Sequence, residues 1–412
     1  MSSSDSIALD SSIKQLPEAE FITLFALMMS LTALTMDAML PAFSFISQDL
    51  LIENYQHTQW IISAMILGMV FGEITFGPLS DALGRKNSIV LGIAIYLVGT
   101  LVALLSSSLE MLLAGRLIQG FGVSAPKIVS RALIRDLYKG AAMARIMSFI
   151  MMVFLLVPLL APAIGQLVMQ LGNWRWIFAM LLIQSLLALA WFCWRQPETL
   201  PKERRIPLQW SSLMSDAKDI LSRKEVMAYT ALLGCVFGGL MLYISTAQSI
   251  FQDIYLVGED FPLYFAMMVI GSSVMNFFNG KIVLRVGMKV CVYFALSVMV
   301  CLSFVLSILV LNYDGVPPFF WFMAICMLMF SCFGMVFGNV NAMAMEPLGR
   351  TAGLGASLIS SLSSMIAIVL AVSVGQFYHN TLTPFATGFF MLSVMSVALM
   401  LLAGRFSSLK RG

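Results

Sequence analysis

The chain has 412 residues with 24 Lys+Arg and 21 Asp+Glu, so charged residues make up 11% of it and apolar ones 60%. A soluble globular protein is nearer a quarter charged and half apolar, and could not cover its surface with so few charges. The apolar residues gather in recurrent runs of about 20, which excludes a soluble enzyme, a disordered scaffold and a nucleic-acid binder with a basic face, and leaves a helical integral membrane protein rather than a β-barrel of alternating polarity.

Taken in chain order, residues 1–20 form a polar tail without the basic n-region of a signal peptide, so the first apolar run reads as a retained helix. Twelve spans are expected, at 21–45, 57–81, 89–108, 111–137, 143–170, 174–194, 226–253, 261–283, 289–312, 317–345, 351–378 and 383–405. The first carries Asp37 and Pro41, the second Glu73, and the fourth Arg116 and Lys127; Pro158 and Pro162 kink the fifth. The stretch 195–225 (RQPETLPKERRIP and onward) is polar and basic and divides the chain into six spans plus six. Within it, 208–225 has apolar residues near helical spacing, which fits either an interfacial linker helix anchored by Trp210 or a solvated linker. The expected organisation is a tail at 1–20, a six-helix bundle at 21–194, a linker at 195–225, a second bundle at 226–405 and a tail at 406–412.

Lys and Arg set the orientation. Leaving out Arg116, Lys127 and Arg175, the remaining 21 of the 24 lie in the tails, the linker and the loops on the same side, or on helix ends that abut them. The positive-inside rule then places both termini in the cytoplasm. The net charge of +3 is a record of topology, not a mark of an acidic partner. The six cysteines all lie in apolar runs without a CxxC pair and read as small apolar residues, and His57 and His379 are far from them in sequence, so no metal site is expected.

The two halves repeat. Shifting spans 1–4 by 203 residues lays them on spans 7–10, and Gly77, Gly84 and Lys86 fall on Gly280, Gly287 and Lys289. Repeated membrane halves are the signature of alternating-access transporters, with a substrate site between the halves. The echo GMVFG at 68–72 and 334–338 has the wrong offset for homology and reads as small-residue helix packing.

The loop GPLSDALGRK at 77–86 combines a glycine for close helix approach (Gly77), an acid able to pair with a base or a helix N-terminus (Asp81), a turn glycine (Gly84) and two bases expected to stay in the cytoplasm (Arg85, Lys86). It resembles the loop motif GxLSDxxGRK of the major facilitator superfamily, with Ala82 in place of the usual base. MDAMLP at 36–41 is similar to the first-helix motif of the superfamily's twelve-span drug:proton antiporters, and RLIQGFG at 116–122 to their fourth-helix motif, with Arg116, Gln119, Gly120 and Gly122 in place. RALIRDLY at 131–138, PLLAPAIG at 158–165, NWRWIF and PETLPKERR resemble the bicyclomycin-resistance (Bcr/CflA) branch. The fifth-helix antiporter motif is thinner, with Pro162 and Gly165 matched beside Pro158, and Lys127 departs from a small or apolar position. The resemblance implies an all-α major facilitator fold of two pseudo-symmetric six-helix bundles. It also implies proton-coupled efflux of small amphiphilic compounds across a bacterial-type inner membrane, with no cofactor and a monomer as the working unit.

Charges inside a bilayer cost at least about 2.5–3.5 kcal/mol and so face a cavity or a partner. Asp37 and Arg116 fall at similar depth, which allows them to pair if spans 1 and 4 face one cavity; Asp37 is then the proton carrier, or else a structural partner or cap at the break before Pro41. Glu73 and Lys127 are also level, giving a pair between spans 2 and 4, or else a packing polar group and a snorkelling lysine. A cavity-lining Lys127 favours anionic or zwitterionic substrates. The second half has no such mid-membrane charge; its polar content is asparagines, and it is expected to shape the substrate site, with most of its abundant aromatic residues (Tyr243, Tyr264, Phe265 and Phe337 among them) facing lipid or packing and a minority lining the cavity. No GxxxxGK[ST] or catalytic motif is present, which argues against ATP-driven transport and against an enzyme. Partners are therefore a small-molecule substrate, protons and the bilayer, with export of a specific endogenous metabolite as the alternative, and a channel or receptor disfavoured by the duplicated halves.

Overall fold

The structure is a computed structural model, described here for residues 16–52, 55–138, 146, 150, 157, 160–205, 208, 210–377 and 381–408. The described residues are helical and contain no strand. In chain order the helices are α1 (Glu18–Asp37), α2 (Phe43–Asp49), α3 (Gln59–Leu83), α4 (Arg85–Leu104), α5 (Leu109–Leu137), α6 (Leu160–Met169), α7 (Arg175–Arg195), α8 (Trp210–Ser222), α9 (Lys224–Gln248), α10 (Phe261–Val286), α11 (Met288–Asn312), α12 (Phe319–Met345), α13 (Ala352–Gly375) and α14 (Thr383–Ser408). An all-helical solution follows from the solvent: in hydrocarbon each backbone N–H and C=O must be satisfied within its own segment.

Among the described residues, nine helices are long and apolar enough to cross a membrane. The expected fourth span is a continuous 29-residue helix, α5, but carries too much charge to count as apolar. The eighth is the 26-residue α10, and half of the fifth, including Pro158, lies outside the described residues. Large apolar side chains such as Leu187, Trp194, Phe294, Leu311 and Phe320 are exposed, as lipid-facing side chains must be.

The expected first span is not one helix. Pro41 has no N–H to give the Asp37 carbonyl, so α1 ends at Asp37 and the chain passes through a 3-10 turn at Leu40–Ala42 before α2. The helices pack in two groups. In the first, α5 lies against α3 and α4, and α7 against α1 and α4; in the second, α9 lies against α13 and α14, and α12 against α10 and α11. Across the groups α3 packs on α13, where Ser361 Oγ donates to the Val70 carbonyl at 3.1 Å, and α9 packs on the 3-10 turn, where Gln248 Nε2 donates to the Pro41 carbonyl at 3.4 Å and, at the start of α2, to Ser44 Oγ at 2.7 Å.

Small residues set the spacing in the first group. A Cβ on Gly120 would lie 1.8 Å from the Met65 carbonyl oxygen, and one on Gly68 2.0 Å from that of Leu117, so α3 and α5 touch backbone to backbone. The matching expectation for Gly338 is not met: nothing lies within 4 Å of a Cβ there. Residues 210–222 of the linker do form a helix, α8, packed on α9 and α13 with Ile220 buried. Of the six free cysteines, Cys193 and Cys301 are exposed and the other four buried.

Candidate functional site

The helix break leaves Asp37 as the last residue of α1, buried at 5% exposure. Its Oδ1 has no hydrogen-bond partner among the described residues. Gly165 of α6 fits directly over the break, since a Cβ there would meet the Ala38 carbonyl oxygen at 2.0 Å; Pro162 is buried on the same short helix. From the second group of helices, Tyr243 of α9 comes close enough to Asp37 to interact with it electrostatically. The Tyr243 ring stacks on Phe265 (centroids 5.6 Å apart) and meets Phe330 at 4.5 Å, while its hydroxyl is also buried without a partner. Tyr264 packs instead into a cluster with Phe251 and Phe319, and Phe337 is exposed.

Arg116 does not pair with Asp37. It is fully buried, and its Nη1 donates to the Thr35 carbonyl at 3.0 Å and to Gln119 Oε1 at 3.1 Å, while Nε donates to the Ile61 carbonyl at 3.3 Å. The depth expected from sequence holds, but the azimuth differs. Asp37 lies two residues beyond Thr35, and residues i and i+2 point to different sides of a helix. Arg116 therefore ties α5 to the backbones of α1 and α3. Gln119 continues the network to Thr100 of α4 at 2.8 Å, and Thr35 Oγ1 meets the Tyr96 hydroxyl at 2.7 Å. The fourth-helix glycines serve this network: Gly120 admits α3, and Gly122 admits α4, where a Cβ would lie 2.4 Å from the Tyr96 nitrogen.

Glu73 and Lys127 do meet. Lys127 Nζ donates to Glu73 Oε1 at 2.5 Å between α3 and α5, with Glu73 1% exposed and the Lys127 side chain 21% exposed. Glu73 Oε2 is buried without a partner among the described residues.

The loop motif closes a third cluster. Gly84 has φ 102° and ψ 158°, a conformation that favours glycine, and turns the chain from α3 into α4. Gly77 packs against Ser357 of α13, where a Cβ would lie 3.0 Å from its Oγ. Arg85, expected on the cytoplasmic side, is 4% exposed. It bonds Asp81 at 2.5 Å, Ser80 Oγ at 2.7 Å and Asp136 at 2.9 Å. Lys86 Nζ donates to the Cys193 carbonyl at 2.8 Å. Two residues to which the sequence assigned no role complete the cluster. Asp136 ends α5 beside Arg85, and Glu198 of the PETL stretch accepts the backbone N–H groups of Arg85 (2.9 Å) and Lys86 (3.2 Å), capping α4. Both stretches stood out as resemblances, but nothing in linear spacing links positions 85 and 198.

The Major Facilitator Superfamily profile matches residues 24–372. The chain is 31% identical over 368 residues to a bicyclomycin resistance protein homolog of Haemophilus influenzae, covering 88% of this chain and 91% of that one. It is 24% identical over 360 residues to multidrug resistance protein D of Escherichia coli, covering 87% and 89%. Among solved structures, a D-xylose-proton symporter superposes with a TM-score of 0.75 at 14% identity, covering 94% of this chain and 97% of that one, which speaks to the fold alone. The all-helical fold, its membrane-length helices and these matches agree: the chain belongs to the Major Facilitator Superfamily and is a transporter, not an enzyme.

Proposed function

We propose that the protein exports small amphiphilic compounds in exchange for protons, by alternating access between the bundles at 21–194 and 226–405. The linker 195–225 and both tails are cytoplasmic, and the membrane is a bacterial-type inner membrane. The observation that carries the reading is Asp37: a buried carboxyl at the break of a membrane helix, beside the other bundle, with an oxygen that no described residue satisfies. A buried acid with no fixed counter-ion can take up a proton or a substrate dipole in turn, and that competition is the minimal exchange mechanism. Arg116 acts through the Thr35 carbonyl, fixing the helix that presents Asp37. The loop cluster around Arg85 holds α3, α4 and the linker together as the bundles rock. The printed names of the relatives, bicyclomycin resistance and multidrug resistance, support a drug-like substrate.

The test is proton movement in proteoliposomes with bicyclomycin as the probe. Bicyclomycin-driven proton flux in the wild type, lost in Asp37→Asn with the protein still monodisperse, is the expected result. Bicyclomycin transport that needs no proton gradient and is unchanged by Asp37→Asn overturns the coupling.

A further inference from the structure

The region where α3, α5 and α13 meet holds charges that the Asp37 step does not use. Glu73 follows Gly72, which packs against Ser124 of α5, and lies one turn along from Val70, whose carbonyl accepts Ser361 of α13. Its side chain therefore leaves α3 between α5 and α13, at the junction of the two helix groups. One Glu73 oxygen holds Lys127, and the other is buried and unpartnered among the described residues. Lys127 lies ten residues from the end of α5 at Leu137, roughly 15 Å along the helix, yet its side chain is 21% exposed, so protein does not fully enclose it there. Arg131 follows one turn on along α5, is exposed, and is near enough to Glu73 to interact with it electrostatically. No described carboxylate lies within ion-pairing distance of Arg131.

Two bases face one acid. An ammonium has three donors and Glu73 takes one of them, so Lys127 can hold a second acceptor without releasing the first. A purely structural pair has matched charges and is fully enclosed; among the described residues this group has two bases to one acid, and Lys127 is only partly enclosed. We propose that Lys127 and Arg131 form a subsite for the carboxylate, sulfonate or phosphate of a transported amphiphile, with Glu73 as the positioning residue that aims Lys127. This deepens the export reading and rests on it for the word transported; the binding itself does not. Among transported compounds the subsite favours an apolar body with one anionic group over a neutral one of the same shape, and the excess positive charge disfavours cations.

The experiment is calorimetric titration of the full chain in lipid nanodiscs at neutral pH with three probes that share one ring system: 2-naphthoate, 2-naphthamide and 2-naphthylmethylammonium. Naphthoate binds about tenfold tighter than naphthamide, the yield of one charge-assisted hydrogen bond, and the ammonium binds weakest. Lys127→Arg keeps the preference and Arg131→Ala reduces it. Because Lys127→Ala alone strands a buried acid, the decisive variant is Glu73→Gln with Lys127→Ala and Arg131→Ala, which removes both bases without leaving a charge at the pair and abolishes the preference. Glu73→Gln alone lowers the preference, because Lys127 keeps its charge and loses the partner that aims it; a preference unchanged or raised in that variant removes Glu73 from the positioning role. Equal affinities of naphthoate and naphthamide in the wild type, absence of binding included, or a preference that survives the triple substitution, overturns the proposal. No proton flux enters the readout, so a chain that prefers naphthoate but fails the proteoliposome test loses the coupling mechanism and keeps the subsite.

Discussion

The turn between α3 and α4 and the turn between α10 and α11 are two versions of one device. Gly84 and Gly287, 203 residues apart, have nearly the same backbone, φ 102° and ψ 158° against φ 84° and ψ 156°. Their surroundings have nothing in common. A Cβ on Gly84 would lie 2.3 Å from Glu198 Oε2, in a cluster that also holds Asp81, Arg85 and Asp136; a Cβ on Gly287 would meet nothing within 4 Å. The same division runs through the membrane. The first helix group joins α3 to α5 by the Glu73–Lys127 ion pair, and the second joins α10 to α12 by Asn339 Nδ2 donating to Asn279 Oδ1 at 2.9 Å. Duplication preserved the backbone, and charge was concentrated in the first half. A bilayer explains the economy: each buried charge needs a partner or a task, whereas an amide pair satisfies itself.

The comparison breaks most visibly at the glycines of α5 and α12. Gly120→Val drives a branched side chain into the Met65 carbonyl, a clash that neither backbone can relieve, with a penalty above about 4 kcal/mol and little monodisperse protein in size-exclusion chromatography. Gly338→Ala meets open space and gains helix propensity, so its melting temperature in detergent is unchanged or higher, by up to about 1 kcal/mol of stability. If both variants behave alike, backbone contact is not what holds α3 on α5.

The two interhelical ties separate next. Glu73→Ala strands Lys127 and costs about 3–5 kcal/mol, whereas Asn279→Ala removes one amide bond in a membrane setting and costs about 1 kcal/mol. Thermal melts of the two variants side by side measure the difference. Adding Lys127→Ala to Glu73→Ala recovers most of the loss if the penalty is the stranded charge, and recovers none if Glu73 acts through packing alone.

The turns separate by less. Glu198→Ala removes an acidic cap from two backbone N–H groups and costs about 1 kcal/mol. The sharper readout is protease sensitivity of the linker, which rises as PETL is released from α4.

What the sequence disclosed follows from what helices encode. Spans, the 203-residue offset and the depth of each charge come from rise per residue, so Glu73 and Lys127 could be matched and Gly84 and Gly287 aligned. Azimuth and long loops are not encoded that way. Arg116 was level with Asp37 yet bonds Thr35's carbonyl, because a two-residue step turns the side chain away. The sequence placed Arg85 on the cytoplasmic side but not its burial, because Asp136 and Glu198 reach it from positions 51 and 113 residues away. The break after Asp37 was legible in Pro41, but not that Gly165 would close over it, since that contact joins distant spans.

Tyr243 gives the smallest expected effect and the finest distinction between the halves. Its ring is fixed between Phe265 and Phe330, while its hydroxyl is buried with no partner among the described residues, so the fold draws on the ring more than on the oxygen. Tyr243→Phe should therefore change the melting temperature by no more than about 0.5 kcal/mol of stability, and in the stabilising direction, because an unsatisfied polar group is removed. The hydroxyl and Asp37 Oδ1 are nonetheless both unpartnered and near each other across the two helix groups. If Tyr243→Phe leaves stability intact but alters proton flux in proteoliposomes, the second half contributes to the proton step through this oxygen. If flux is unchanged as well, the proton chemistry belongs to the first half alone, and the second half supplies only shape.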